Sequence, residues 1–101
     1  MIKVIYEVND DLYTYIEVKG HAESADYGKD LICASVSSIM FGFMNALDAL
    51  DEDVEIKQLT NKIVVKNHSK SEMIQDYFEL VMTQLKTLEV SYGSFIKVER
   101  K

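Results

Sequence analysis

The chain has 101 residues, of which 48% are hydrophobic and 28% charged, and its formal net charge is −6 at pH 7. This length and composition predict one globular domain over residues 1–101, which is large enough to bury a stable core without disulfides or metal sites. One cysteine excludes an internal disulfide, and with two histidines it supplies too few ligands for a structural zinc site, so we expect no metal and no cofactor. The acidic balance argues against direct nucleic-acid binding, because such proteins normally present a basic face.

Two alternating segments at the start of the chain predict a β-hairpin. Apolar residues occupy every second position over residues 2–8, and Leu12, Thr14, Ile16 and Val18 alternate in the same way over residues 12–18. This is the period of a strand with one buried face, and the turn-forming residues 9–11 separate the two segments. Residues 20–29 have neither strand nor helix period, so we predict a loop there.

Residues 30–50 predict a helix that is apolar on nearly all sides, which is typical of a helix covered by several neighbours. Its length of about 30 Å is more than a domain this small can cover, so we expect part of it to contact a second subunit. The uncharged run, residues 31–47, is shorter than the roughly 20 residues of a bilayer span, and we expect no membrane segment. The first residues lack the apolar region of a secretion signal, so we expect a cytoplasmic protein.

The second half of the chain repeats the order of the first. Residues 54–58 and 63–66 flank a short polar turn and predict a second hairpin. Ser69 and Glu72 have the spacing of a capping box at the start of a second, amphipathic helix. A final strand is predicted over residues 94–99. The order ββαββαβ predicts an α+β fold, with a mostly antiparallel sheet packed by two helices in a single domain.

The single cysteine stands near the start of the first predicted helix. With Asp30 as the N-cap, Cys33 is the third helical residue, where free backbone N–H groups and the helix dipole favour a thiolate. The thiolate attacks carbonyl carbon, and His21 lies on a loop long enough to fold back to the sulfur as a base. The residues leave the plainer alternatives open, namely a cysteine that packs in the core and a histidine on the surface.

The segment around these residues resembles a known family. The sequences GHA (residues 20–22) and GKDLICASVS (residues 28–37) resemble the ribosomal-processing cysteine proteases, whose pattern is close to G-H-A, a variable loop, and G-x-D-I-V-C-A-A-V-S. The residues that match this pattern are Gly20, His21, Ala22, Gly28, Asp30, Cys33, Ala34, Val36 and Ser37. Three positions depart from it conservatively: Leu31, Ile32 and Ser35.

The resemblance implies a small cysteine endopeptidase that removes the N-terminal extension of a large-subunit ribosomal protein. It implies Cys33 as the nucleophile and His21 as its general base, with Gly20 and Gly28 as supporting residues of the motif. It also implies a homodimer, and a substrate extension with aromatic and other apolar residues before the cut. The acidic charge of the chain suits a basic ribosomal protein as partner.

For two supporting residues, Asp30 and Ser37, the sequence is compatible with more than one role. Asp30 either caps the helix or orients His21. Ser37 lies four residues beyond Cys33, on the same helical face, and bonds the loop or the sulfur, or else bonds back to the carbonyl of Cys33.

Two other functions also remain open on the sequence. One is a non-catalytic, ribosome-associated module that binds a protein partner. The other is a different thiol hydrolase, such as a thioesterase or amidase, that uses the same cysteine and histidine.

Overall fold

The computed structural model describes residues 1–20, 27–50 and 52–101, and residues 27–30 by their backbone only. Seven elements follow one another in the predicted order. They are β1 (Ile2–Asn9), β2 (Leu12–Lys19), α1 (Tyr27–Leu50), β3 (Val54–Leu59), β4 (Lys62–Asn67), α2 (Glu72–Tyr92) and β5 (Ile96–Arg100). The five strands form one sheet and both helices pack on it, which confirms the predicted α+β class.

The strands lie in the order β3-β4-β2-β1-β5. Three of the four neighbouring pairs are antiparallel, and β1 pairs with β5 in parallel, with Ile2 opposite Ile96. The sheet is therefore mixed but mostly antiparallel, as predicted. At the β1–β2 turn Asp10 and Asp11 both have positive φ, 52° and 63°. Two central residues of this kind give the turn whose twist matches the flanking strands.

Both helices pack on one face of the sheet and share a core with it. Phe78 of α2 is fully buried at the centre. Its ring meets Phe43 of α1 edge-on, with centroids 4.9 Å apart, and stacks on Tyr13 of β2 at 5.6 Å. Each such aromatic pair stabilises the fold by about 1 kcal/mol beyond its buried area. These contacts tie the two helices and the central strands into one unit.

Both helices begin at residues other than those predicted. α1 begins at Tyr27, so Asp30 is its fourth residue, Cys33 is its seventh, and the predicted N-cap at Asp30 is wrong. Gly28, Lys29 and Asp30 have no apolar side chains, so periodicity does not reveal this first turn. In α2 the N-cap is Ser71, whose hydroxyl accepts a hydrogen bond from the Ile74 amide, so the predicted Ser69 cap is also wrong.

α1 buries one face rather than being covered on several sides. Its residues Leu31 and Phe41 are 52% and 43% exposed, while six others are buried in the core. The segment Leu31–Leu50 is long and apolar enough to cross a membrane, and 33% of its most apolar stretch is buried inside the protein. This segment is longer than the uncharged run, residues 31–47, because it includes Asp48. Core helices pass the same test, so the property is weak evidence, and the lack of a membrane segment stays a prediction.

Two glycines test opposite effects of an added methyl group. Gly20, after β2, has φ +85°, and a Cβ there would lie 2.5 Å from the Met1 carbonyl oxygen. Gly42 is inside α1, and a Cβ there would have no neighbour within 4 Å. Gly20→Ala should lower the free energy of unfolding by roughly 2 kcal/mol or more, through strain and contact with the backbone.

Gly42→Ala is the matched control and should raise the free energy of unfolding by about 0.5–1 kcal/mol, because alanine favours a helix. Urea unfolding of both variants measures the difference. Equal shifts of the two midpoints in the same direction would contradict the assignment of strain to Gly20.

Candidate active site

Cys33 lies on a groove of about 170 Å³ between α1 and the β3–β4 turn. The side chain is half-buried, so the thiol stands at the border of core and solvent. The groove has apolar walls, formed by Ile2, Val18, Val36, Met40, Phe41, Leu59 and Ile63. The other lining residues, here called the rim, are Gly20, Ser37, Gln58, Thr60, Asn61 and Lys62, and all of them except Gly20 have polar side chains. An apolar side chain fits such a groove while its backbone meets the polar rim.

Three of the residues predicted for the site come together here, since Gly20, Cys33 and Ser37 all line the groove. Gly28 and Asp30 belong to the first turns of α1, and Asp30 lies three residues before Cys33 on the helix. His21 lies outside the described residues, so its predicted role as base stays a prediction here.

The serines of α1 take different partners. The Ser35 hydroxyl donates a hydrogen bond to the Leu31 carbonyl at 2.9 Å, which is the helix back-bond that the sequence left open for Ser37. Ser37 itself is exposed and faces the groove one turn after Cys33. The two predicted partners of the Ser37 hydroxyl, the loop and the sulfur, stay predictions.

Sequence reasoning missed the second wall of the groove, the β3–β4 turn. The Gly20 amide donates a hydrogen bond to the Asn61 carbonyl at 3.1 Å, which fixes the turn beside the end of β2. The turn reaches this position because β4 pairs with β2 in the sheet. Sequence periodicity predicts the hairpin but carries no signal for the strand that it joins, so nothing in the sequence locates Asn61 and Lys62 at the groove.

The start of α1 affects the chemistry of Cys33. The attraction between a helix N-terminus and an anion is concentrated in the first turn. Because Cys33 is the seventh residue of α1, the helix start stabilises a thiolate less than the sequence predicts.

A chain of polar contacts holds Lys62 at the rim. Its ammonium lies 3.1 Å from the Glu17 carboxylate, which also accepts a hydrogen bond from the Tyr15 hydroxyl at 2.7 Å. The Tyr15 hydrogen bond and then Lys62 hold the pKa of Glu17 below its usual value, although burial acts in the opposite direction. Burial, and then the bond to Glu17, raise the pKa of Tyr15 to about 12. Glu17 is thus an ionised carboxylate in a nearly buried position.

Comparison with known proteins decides the family. A family model described as cysteine protease Prp matches residues 1–97. The chain belongs to this family. It is 30% identical to the ribosomal processing cysteine protease Prp of Staphylococcus aureus, over the whole of both chains. The protein is therefore a cysteine protease.

Two solved Prp structures from S. aureus share the fold over the whole length of both chains. One is a complex with a substrate peptide, and it matches with a TM-score of 0.91 at 27% identity. The other holds a covalently linked product peptide and matches with a TM-score of 0.89 at 28% identity. The S. aureus protease thus binds a substrate peptide, and in the second structure a product peptide is covalently linked to it.

The Glu17 contacts predict how stability depends on pH. A carboxyl group whose folded pKa is lowered contributes stability above its unfolded pKa and loses it as pH falls through the folded value. Glu17→Gln should cost about 1–2 kcal/mol of unfolding free energy at pH 7, and this cost should shrink as pH falls below about 4.5. Urea unfolding over this pH range measures it.

Glu99→Gln is the control, because Glu99 is an exposed carboxylate of the same sheet. Its effect should stay small at every pH. A cost of Glu17→Gln that is the same at neutral and acid pH would contradict the assignment.

Proposed function

We propose that this protease uses Cys33 as nucleophile and His21 as general base to cut the N-terminal extension of a large-subunit ribosomal protein. The assignment of Cys33 as nucleophile rests on the number of cysteines in the chain. The family is one of cysteine proteases, and the chain has one cysteine. That cysteine lies on an apolar groove with a polar rim, where a peptide can be held.

The assignment of His21 rests on comparing the two histidines of the chain, His21 and His68, by their distance from the groove. His68 follows β4 at the end away from the groove, and its ring lies 3.0 Å from the Glu55 carboxylate. The length of β4 separates it from Lys62, on the groove, by roughly 20 Å. His21, in contrast, is bonded to Gly20, a groove residue, and consecutive Cα atoms are about 3.8 Å apart.

The proposed reaction has two halves. The Cys33 thiol gives its proton to His21, and the sulfur attacks the peptide carbonyl carbon. The tetrahedral intermediate collapses as the imidazolium donates that proton to the leaving amine, which leaves an acyl-enzyme on the sulfur. Water then attacks the thioester, and His21 takes one of its protons and returns it to the sulfur. The covalently linked product on the S. aureus relative is consistent with this route.

The supporting residues have proposed positions in this scheme. Ser37 lines the same groove one turn after Cys33, and its proposed hydrogen-bond partners are the loop and the sulfur. Two roles were predicted for Asp30, capping α1 and orienting His21. Because Asp30 is not the N-cap of α1, we propose that it orients His21. Gly20 and Gly28 mark the two ends of the segment that carries His21.

The substrate is proposed from the relatives and from the groove. The relatives are named as ribosomal processing proteases. The apolar walls of the groove suit the aromatic and apolar residues that the family resemblance implies before the cut, and the net charge of −6 suits a basic partner. A protease of ribosomal proteins works where they are made, so we propose a cytoplasmic enzyme.

The two alternative functions have less support. A non-catalytic binding module does not fit a member of a protease family. Another thiol hydrolase would use the same cysteine, but the two S. aureus structures hold peptides.

Cys33→Ala should leave the fold intact and abolish cleavage of a peptide that spans the N-terminal extension of the organism's own ribosomal protein. The loss should be at least about 1,000-fold, because the reaction has no other thiol. Mass spectrometry of the incubated peptide measures it. Ser35→Ala, two residues along α1, is the control and should cleave at nearly the parent rate.

Cleavage by Cys33→Ala at the parent rate would overturn the proposal. His21→Ala separates the base from the nucleophile, because it should slow both cleavage and alkylation of Cys33 near neutral pH. An unchanged alkylation rate would show that the ring does not act on the sulfur.

We also propose that the enzyme is a homodimer whose interface includes the surface of α1 that faces α2. A second groove, of about 300 Å³, runs between the helices past Gly42 of α1 and Leu80 of α2, and Leu80 is 58% exposed. Leu80→Glu should convert the dimer to a monomer in sedimentation velocity. Val90→Glu, at a site that is 87% exposed near the end of α2, should leave it a dimer. A parent protein that sediments as a monomer would contradict the proposal.

A further inference from the structure

Four lysines form a straight row across the sheet face that lies opposite the helices. Lys97 of β5 pairs with Lys3 of β1, Lys3 with Lys19 of β2, and Lys19 with Lys62 of β4. Neighbouring strands lie about 4.8 Å apart, so the four Cα atoms span roughly 15 Å. The residues on either side of the row in sequence, such as Val4 and Val18, point into the core, so the lysines point outward.

The row is unfavourable for the isolated fold. Like charges directly opposite on neighbouring strands destabilise a sheet, and Lys3 has a lysine on both sides. Within the described part of the chain, Lys62 is the row member that forms an ion pair, with Glu17. Lys3, Lys19 and Lys97 are exposed. The fold therefore bears three adjacent repulsions, and one carboxylate relieves them only in part.

The charge of the molecule is unevenly divided. The strand residues of this outer face include six lysines (Lys3, Lys19, Lys57, Lys62, Lys66 and Lys97) and four glutamates (Glu7, Glu17, Glu55 and Glu99). Their formal charge is +2 against −6 for the whole chain, so the rest of the molecule carries −8. The net charge, from which the sequence predicts no nucleic-acid contact, does not describe this face.

We propose that the lysine row binds the phosphate backbone of RNA. A lysine ammonium is a compact charge suited to phosphate, and a line of them at strand spacing matches a linear polyanion. Among the residues that the structure describes, Tyr15 is the outer-face aromatic of β2 and is half-buried, so these residues offer no stacking platform and binding should not depend on sequence. A membrane surface fits less well, because the exposed apolar residues beside the row are Met1 and Leu59, and interfacial binding needs a broader apolar surface.

The row ends at the active-site groove. Lys62 is the last lysine of the row, and both Lys62 and the facing Leu59 line the groove with Cys33. RNA on the row and a peptide in the groove would thus be neighbours on the same protein. The enzyme would then meet its substrate close to RNA rather than only as a free chain.

Binding of a fluorescent, single-stranded RNA of about 12 nucleotides tests the proposal, with a duplex of the same length as a second probe. Fluorescence anisotropy is measured at salt concentrations from about 50 to 200 mM. The parent protein should bind at micromolar concentration. For four phosphate contacts the logarithm of its affinity for the single strand should fall with the logarithm of salt with a slope of about −2.8.

The variant Lys3→Gln/Lys19→Gln should bind about 10-fold more weakly, with a slope shallower by about 1.4. It should be at least as stable as the parent, because it removes repulsion. The control Lys70→Gln/Lys86→Gln makes the same change of charge at exposed positions before and within α2, and should bind within about 2-fold of the parent.

Three outcomes would overturn the proposal: no binding by the parent at the lowest salt, equal weakening in both double variants, or tighter binding to anionic lipid vesicles than to RNA. The test is independent of the proposed proteolysis. Cys33→Ala should still bind RNA, and Lys3→Gln/Lys19→Gln should still cut a short peptide at the parent rate.

Discussion

The close approach of Gly20 to the first strand is the contact on which the site depends. At Gly20 the chain leaves β2 with a positive φ, and a Cβ on this residue would lie 2.5 Å from the Met1 carbonyl oxygen. The Gly20 amide is also bonded to the Asn61 carbonyl of the β3–β4 turn. The end of β2, the start of the N-terminal strand and the far wall of the groove thus meet at one residue. Any side chain there would push these three parts away from Cys33.

The groove depends in turn on how the sheet is assembled. α1 supplies Cys33 and Ser37, and the sheet supplies the opposite wall through β4. The ion pair between Lys62 of β4 and Glu17 joins that wall to the central strand β2. Both side chains lie on the outer face of the sheet. The groove is therefore a joint product of helix packing and strand pairing, and neither half would form it alone.

Much of this arrangement is predictable from the sequence, and the failures have a common cause. The seven elements follow from local periodicity, and Gly20, Cys33 and Ser37 follow from one short motif. The first turn of α1 and the Ser71 cap were missed, because neither leaves a mark in the apolar pattern. The Asn61 wall and the lysine row depend on which strands pair, and pairing is set by packing across the whole domain rather than by neighbours in sequence.

The parallel pair of β1 and β5 has a consequence for biosynthesis. Ile2 lies beside Ile96, so 94 positions separate partners in the middle of the fold. While the chain is being translated, β1 has β2 on one side and an open edge on the other until β5 emerges. Contacts of such long sequence separation slow folding and leave an exposed edge open to wrong partners. Until β5 emerges, a nascent chain therefore lacks its complete sheet, and the groove that Ile2 lines lacks the strand that pairs with Ile2.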